Sequence, residues 1–276
     1  MLPSIFKIEY TEKHKIITIF NAIKIKFKRN NNTLTIEDYR AYALASKFHP
    51  NLEKYRGIYT NKSIVIIGGG SSLKHYKPLK DCIHIGVNRA YMLDNIHFDY
   101  LFAQDKFPRE EEIEGFINYK PEECIKFLGL QTITRDYRIR PSTIARIKNK
   151  EIYVLNNRRP KDTFVPIDIT AEPFAFYAGT VFGALQFALL TNAKNIYLVG
   201  FDCNISHAFE QNKNAWDLTI QLKYWKQFKE YKDSFFEHNN IISINPVNLK
   251  GMFEDIYTQS FINENPELQK ENIEIL

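Results

Sequence analysis

Residues 63–73 read SIVIIGGGSSL, an apolar run of β-branched residues that stops abruptly at three glycines and two serines. Four consecutive β-formers, Ile64–Ile67, bounded by turn residues define a strand buried on both faces. A strand, a glycine turn and a helix start in that order place backbone N–H groups and hydroxyls where an anion would be welcome. The turn is no Walker A loop, because no Lys-Ser/Thr follows the glycines, so ATP hydrolysis by that route is excluded. Nor is it a full dinucleotide fingerprint. Gly68 and Gly70 fit the first two glycines, and Leu73 stands at the third.

Outward from this stretch the chain keeps one rhythm. Short apolar segments follow in CIHIGVN, DYLFAQD, CIKFLG, EIYVLN, NIYLVGFD and IISINP, separated by loops and by helical patterns over 179–191 and 216–237. Strands alternating with helices predict an α/β fold: a Rossmann-like, doubly wound, mostly parallel sheet. Ahead of it, residues 13–28 alternate apolar and basic positions as a two-stranded ribbon, and TIEDYRAYALASKFHPNLEKY (35–55) has helical spacing that stops near His49-Pro50. The expected organisation is a small β-ribbon and helix appendage over 1–56, a Rossmann-like main domain over 57–255, and a polar tail over 256–276. The tail reads as a loosely attached helix or a partner-binding end.

Composition narrows the classes. The 276 residues are 44% hydrophobic and 14% aromatic, enough for a large core. Three cysteines, Cys82, Cys124 and Cys203, form no CxxC pair and no metal-ligand spacing with histidine, which argues against a disulfide framework or structural zinc. No apolar run reaches the length of a membrane span, and the N-terminus lacks a signal-like apolar core. The expectation is a cytoplasmic protein, at most peripheral to the inner face of the membrane. The net charge of +5 is modest, with basic residues gathered only at 21–30 and 135–150. Solvated faces explain both stretches, and anionic headgroups or a phosphorylated substrate are the functional alternative. Neither carries a nucleic-acid reader motif, so no nucleic-acid partner is expected.

In a doubly wound sheet, ligands bind beyond the carboxyl ends of the strands. Those ends supply Gly68, Gly69, Gly70, Ser71 and Ser72, then Asn88 and Arg89, Gln104 and Asp105, Asn156 and Asn157, and Asp202, Cys203, Asn204, Ser206 and His207. Gly179 and Thr180 open the helix over 179–191. Asn88 stands ~20 residues beyond Gly68, where dinucleotide enzymes carry an acidic ribose ligand, and its amide suits an anionic ligand better than a carboxylate would. Each has a structural alternative: Asp202 as the cap of a neighbouring turn, Asn88 and Thr180 as helix caps, Arg89 as the partner of a surface acid, Cys82 and Cys203 as inert thiols.

The ordered motifs IVIIGGGSSL, IGVNRAY, DYLFAQD and GTVFGALQFALLTNAKNIYLVGFDC resemble those of bacterial sialyltransferase-like glycosyltransferases of surface glycans. They also resemble the MptE-like domain shared with motility accessory factors. The similarity spans roughly 62–250, and the ribbon resembles an element found ahead of the catalytic domain in glycan-locus glycosyltransferases. It implies that 57–255 is a nucleotide-sugar-binding catalytic domain, transferring an acidic sugar (sialic, pseudaminic or legionaminic acid, or Kdo) from a CMP-activated donor to a glycan or lipid-linked glycan. No metal and no cofactor beyond the donor are required, and a homo-oligomer is compatible with the family. Carried over by position, Gly68 and Ser72 hold the CMP phosphate region, Asn88 lies near that phosphate, and Thr180 matches a donor-contacting Ser. Gly69 and Gln104 stand where the family has Asn, and His207 where it has a Tyr that holds the departing phosphate. The family's general-base His is missing at the head of the helix near 216, leaving Asp217 as the nearest titratable group and His207 as the other candidate for acid/base work. Two alternatives stay open. One is an MptE-like pterin pyrophosphokinase using ATP and magnesium on Asp105 and Asp202, and the other a non-catalytic nucleotide-sugar-binding or assembly subunit.

Overall fold

The computed structural model describes residues 6–10, 14–19, 23–28, 36–104, 109–131, 141–156, 166–175, 177, 179–203, 218–270 and 273–276. The chain divides into two compact units, Met1–Thr35 and Ile36–Leu276. In the first, β1 (Phe6–Tyr10), β2 (His14–Ile19) and β3 (Ile23–Lys28) form an antiparallel sheet in the order β1-β2-β3. The ribbon expected with two strands has three.

The second unit opens with α1 (Ile36–Phe48) and a 3-10 turn, His49–Tyr55. Then come β4 (Ser63–Ile67), β5 (Cys82–Val87), β6 (Tyr100–Ala103), α2 (Glu110–Asn118), β7 (Ile125–Gln131), α3 (Pro141–Arg146), β8 (Lys150–Asn156) and β9 (Phe174–Ala175). The chain continues through α4 (Thr180–Leu190), β10 (Asn195–Val199), α5 (Leu218–Phe235), β11 (Asn240–Ile244), β12 (Glu254–Tyr257), α6 (Gln259–Glu264) and β13 (Glu274–Ile275). The ten strands from β4 onward make one sheet in the order β13-β12-β11-β10-β4-β5-β6-β7-β8-β9, every pair parallel. This is the Rossmann-like doubly wound α/β architecture.

The period of two sorts each central strand between two cores. Ile64, Ile66, Tyr100 and Phe102 join the cluster that includes α4 and α5, while Val65, Ile67, Leu101 and Ala103 join the cluster beneath α2. Burial on both faces is why these strands read as unbroken apolar runs. All eleven residues of α4 are buried, as expected of a helix that is apolar all round. Its Phe187 ring lies 4.6 Å from Phe127 and 5.1 Å from Tyr100, so this crossover helix is locked onto the middle of the sheet.

Two boundaries differ from expectation. The appendage ends at residue 35, because α1 belongs to the main unit: Ala41 and Ala45, four apart on one helix face, are fully buried with Val154 of β8. His49 fixes the end of α1, its Nε2 accepting from the Val154 N–H at 2.8 Å while its Nδ1 donates to the Glu172 carbonyl at 2.9 Å. A backbone N–H can only donate, so the ring is neutral with its proton on Nδ1. The tail is part of the fold as well. β12 and β13 extend the sheet, and Tyr257, Phe261, Ile262 and Leu268 form their own apolar cluster. Four apolar residues scattered among charges hold the segment, and its polar average conceals them.

Candidate functional site

From β4 the sheet grows in one direction to β9, then α4 carries the chain back to lay β10 against the other side of β4. The strand order therefore reverses between β4 and β10, which puts the loops leaving these two strands side by side at the switch point. Such a reversal is where open α/β sheets bind ligands.

The two loops touch at that switch point. Gly68 donates its N–H to Val199 at 2.8 Å, and Gly70 donates to Gly200 at 2.7 Å. A Cβ on Gly68 would lie 2.6 Å from the Gly200 carbonyl oxygen and 2.7 Å from the Phe201 ring, and one on Gly70 would lie 2.6 Å from Asp202 Cγ. Gly200 itself is left-handed at φ +70. The glycines of the quoted stretch thus permit a backbone approach that any side chain would block.

The serines bind an anion, and it is the protein's own. Asp202, 2% exposed, accepts at Oδ2 from the Ser72 N–H (2.8 Å) and the Ser71 hydroxyl (3.0 Å), and at Oδ1 from the Ser72 hydroxyl. Asp202 thus caps the 3-10 turn Ser71–His75 and staples it to the loop after β10. Asn248 holds the other side of that loop, donating Nδ2 to the carbonyls of Asp202 at 3.1 Å and Cys203 at 3.3 Å, where Cys203 adopts φ +51. The donors expected to meet a ligand phosphate at Ser71 and Ser72 are engaged by this carboxylate. Gly69, half-buried, sits between the two stapled glycines.

One strand further, Asn88 ends β5 with φ +53, a left-handed turn that Asn tolerates better than most residues. It is not a helix cap; the capping position of the turn Asn88–Met92 is Val87. Arg89 pairs with an acid, as its structural alternative held, but a buried one. Its Nε donates to Glu112 Oε2 at 3.1 Å, and Arg109 donates to Oε1 of the same carboxylate at 2.7 and 2.8 Å. Glu112 is 2% exposed in the first turn of α2, at the carboxyl side of the sheet. The sequence reading missed this clasp, although Arg109 followed by three glutamates at a helix start is a legible sign of it. Replacing Glu112 by Gln leaves two guanidinium groups around a buried neutral amide, and we expect a loss of about 3 kcal/mol in urea unfolding. A loss under about 1 kcal/mol would mean that solvent, not Glu112, balances the arginines.

Gln104, at the end of β6, is 2% exposed and accepts from the Tyr153 hydroxyl at 3.4 Å. Gly179 takes the capping position of α4 in an extended conformation, so Thr180 is the first helical residue rather than the cap, and it is 2% exposed. The structure brings Gly68–Ser72 and Asp202 into contact, and it sets Asn88, Arg89 and Gln104 on the next two strands of the same edge, neighbouring strands lying ~4.8 Å apart. Asp105, Asn204, His207 and Asp217 lie outside the described residues, as do Asn157 and Ser206.

Burial pushes the Cys203 and Cys124 thiols up to about 12 and raises Cys82, which keeps all three protonated and poorly nucleophilic at neutral pH. Among the described residues no group of three or more His, Cys, Asp or Glu is arranged to hold a metal ion, and no helix is long and apolar enough to cross a membrane. A cleft of about 360 Å³, lined by Arg56, Leu190, Asn192, Tyr231, Phe235 and His238, lies at the opposite edge, where strands begin. Its one guanidinium is bound by Glu53 at 2.7 Å and Asp168 at 2.8 Å, which leaves the carboxyl edge as the better candidate site.

Fold and site together define a doubly wound α/β protein whose strand reversal is closed by a glycine contact and an aspartate staple. No protein-family model matches the chain, and no curated protein is significantly similar to it.

Proposed function

We propose that this chain is a glycosyltransferase of surface polysaccharide assembly (capsule, lipooligosaccharide or flagellar glycan). It would move an acidic sugar from a CMP-activated donor to a glycan hydroxyl without a metal. The observation that carries the reading is the strand reversal between β4 and β10, flanked by the turn Gly68–Ser72 and by Asn88. Switch points of this kind are where such sheets take nucleotides, and the ordered motifs around this one are those that resemble sialyltransferase-like enzymes.

In this reading the acceptor hydroxyl attacks the anomeric carbon as the bond to the CMP oxygen breaks, through an oxocarbenium-like transition state. The hydroxyl proton passes to a base, for which His207 and Asp217 are the candidates, and CMP leaves with its phosphate oxygen carrying the electron pair. A monophosphate leaving group needs no cation to bridge a diphosphate. Because Ser71 and Ser72 serve Asp202 and Arg89 serves Glu112, the donor's phosphate would rely on other groups along the edge, with Asn88 nearest the turn.

The test is thermal unfolding of the purified chain with CMP, CDP, UDP, GDP or ATP, each with and without magnesium. A nucleotide at 100 times its Kd stabilises the native state by about 2.7 kcal/mol, roughly 5–10 °C for a domain of this size. We expect CMP to give the largest shift and magnesium to leave it unchanged. A shift with ATP that requires magnesium would replace this reading with the pterin pyrophosphokinase, and no shift with any nucleotide would leave an assembly subunit.

A further inference from the structure

The ribbon of the first unit was singled out in the sequence for its lysines, and the proposed transfer makes no use of it. Its register now sorts them. Residues directly opposite one another in an antiparallel sheet share a face, and neighbours along a strand alternate between faces. Lys7 pairs with Thr18 and Thr18 with Lys24; Glu9 pairs with Ile16 and Ile16 with Lys26; His14 pairs with Lys28. One face therefore holds four lysines against a single glutamate. The other holds the rows Phe6, Ile19, Ile23 and Ile8, Ile17, Ile25 and Tyr10, Lys15, Phe27, apolar at every position but one.

We infer that the Lys7–Lys24–Lys26–Lys28 face of this ribbon is a docking surface for an anionic lipid bilayer. Three of its lysines follow one another at alternate positions of β3, an outer strand, which spaces them ~6.7 Å apart in a straight row. Charge complementarity identifies the partner: clustered lysines are attracted to anionic headgroups over about a Debye length, ~8–10 Å, and each added lysine strengthens that attraction. Nucleic acid fits the same charge less well. Single strands are held by aromatic residues interleaved with the basic ones, and here Phe6, Tyr10 and Phe27 are on the opposite face from the lysine row.

The experiment is co-sedimentation of the full chain with vesicles of phosphatidylcholine alone or with 30% phosphatidylglycerol, at 50 and 300 mM salt. The comparison is between wild type, K24Q/K26Q/K28Q and the charge-conserving K24R/K26R/K28R. We expect binding only to the anionic vesicles, weakened about tenfold or more by the higher salt, lost to a similar extent in the Gln variant and retained in the Arg variant. Retention in the Arg variant shows that charge, and not an incidental change in the ribbon, is what the Gln variant lost. Four outcomes would overturn the inference. These are equal binding to neutral vesicles, a Gln variant within twofold of wild type, loss in both variants, or tighter binding to a duplex or single-stranded oligonucleotide than to vesicles at the same salt. Equal, salt-insensitive binding to neutral vesicles would assign the contact to the apolar face instead.

Discussion

A Gly68→Ala chain should unfold in urea about 3 kcal/mol more easily than wild type, with the thermal midpoint lowered by roughly 6–12 °C. The added methyl would stand 2.6 Å from the Gly200 carbonyl oxygen and under 3 Å from two atoms of the Phe201 ring. Backbone cannot swing aside as a flexible side-chain end can. Relief requires the loops after β4 and β10 to separate, which stretches the bonds Gly68 to Val199 and Gly70 to Gly200 and the three bonds that Asp202 accepts. The same substitution at Gly179 is the control. There the nearest atoms lie 3.5 Å away and the backbone is extended, so only the weaker capping of Ala is felt, at most about 1 kcal/mol. Equal effects at the two positions would show that the two loops are free to move apart and that the glycines serve something other than close approach.

Wild type should also lose stability on mild acidification in a way that a His49→Gln chain does not. Burial lowers the His49 pKa from 6.5 to about 4, outweighing the hydrogen bond to Glu172 that pulls the other way. The folded value lies below the unfolded one, so as pH falls the unfolded chain takes up the proton first. The contribution is therefore fully present above about pH 6.5, is lost as pH falls from there towards 4, and is constant below that. Between pH 7.5 and 5 this amounts to about 2 kcal/mol. At pH 7.5 the Gln chain should already be weaker by about 3 kcal/mol, because the Val154 N–H and the Glu172 carbonyl lose a ring shaped to meet both. His84, also buried and lowered, contributes a slope of the same sign in both chains and cancels in the comparison. Parallel curves of stability against pH for the two chains would remove His49 as the source.

The central strands were legible because burial on both faces demands unbroken apolar runs, and β4, β5, β6, β7, β8, β10 and β11 each coincide with a run read from the sequence. The two-residue strands β9 and β13 were not, since so short a segment carries no period. α1 was read as a helix yet assigned to the ribbon, because Ala41 and Ala45 are weak hydrophobic signals whose partner, Val154, is distant in the chain. The site shows the deeper limit. Glycines and serines after a strand announce an anion and a close approach, but a carboxylate and a phosphate satisfy the same N–H and hydroxyl donors. Only the fold reveals that the loop approaching Gly68 is Gly200–Asp202 and that the anion on Ser72 is Asp202. Glu112 was passed over for a related reason: Arg109 before three glutamates hints at a pairing, but a glutamate in a first helical turn also complements the helix dipole, and only the fold brings in the second arginine, Arg89.

The place of β4 in the sheet has a consequence for how the chain is made. β4 meets β5 soon after it is made, since β5 begins at Cys82, but its other neighbour, β10, begins only at Asn195. A ribosome that has delivered residues as far as β9 has made half a sheet whose open margin is Ile64–Ile67, apolar on both faces and unpaired along its backbone. Such a margin is a template for pairing with another chain. The interval before β10 arrives is thus when newly made chains are most prone to aggregate. Closure of the Asp202 staple, which needs both strands in place, marks its end.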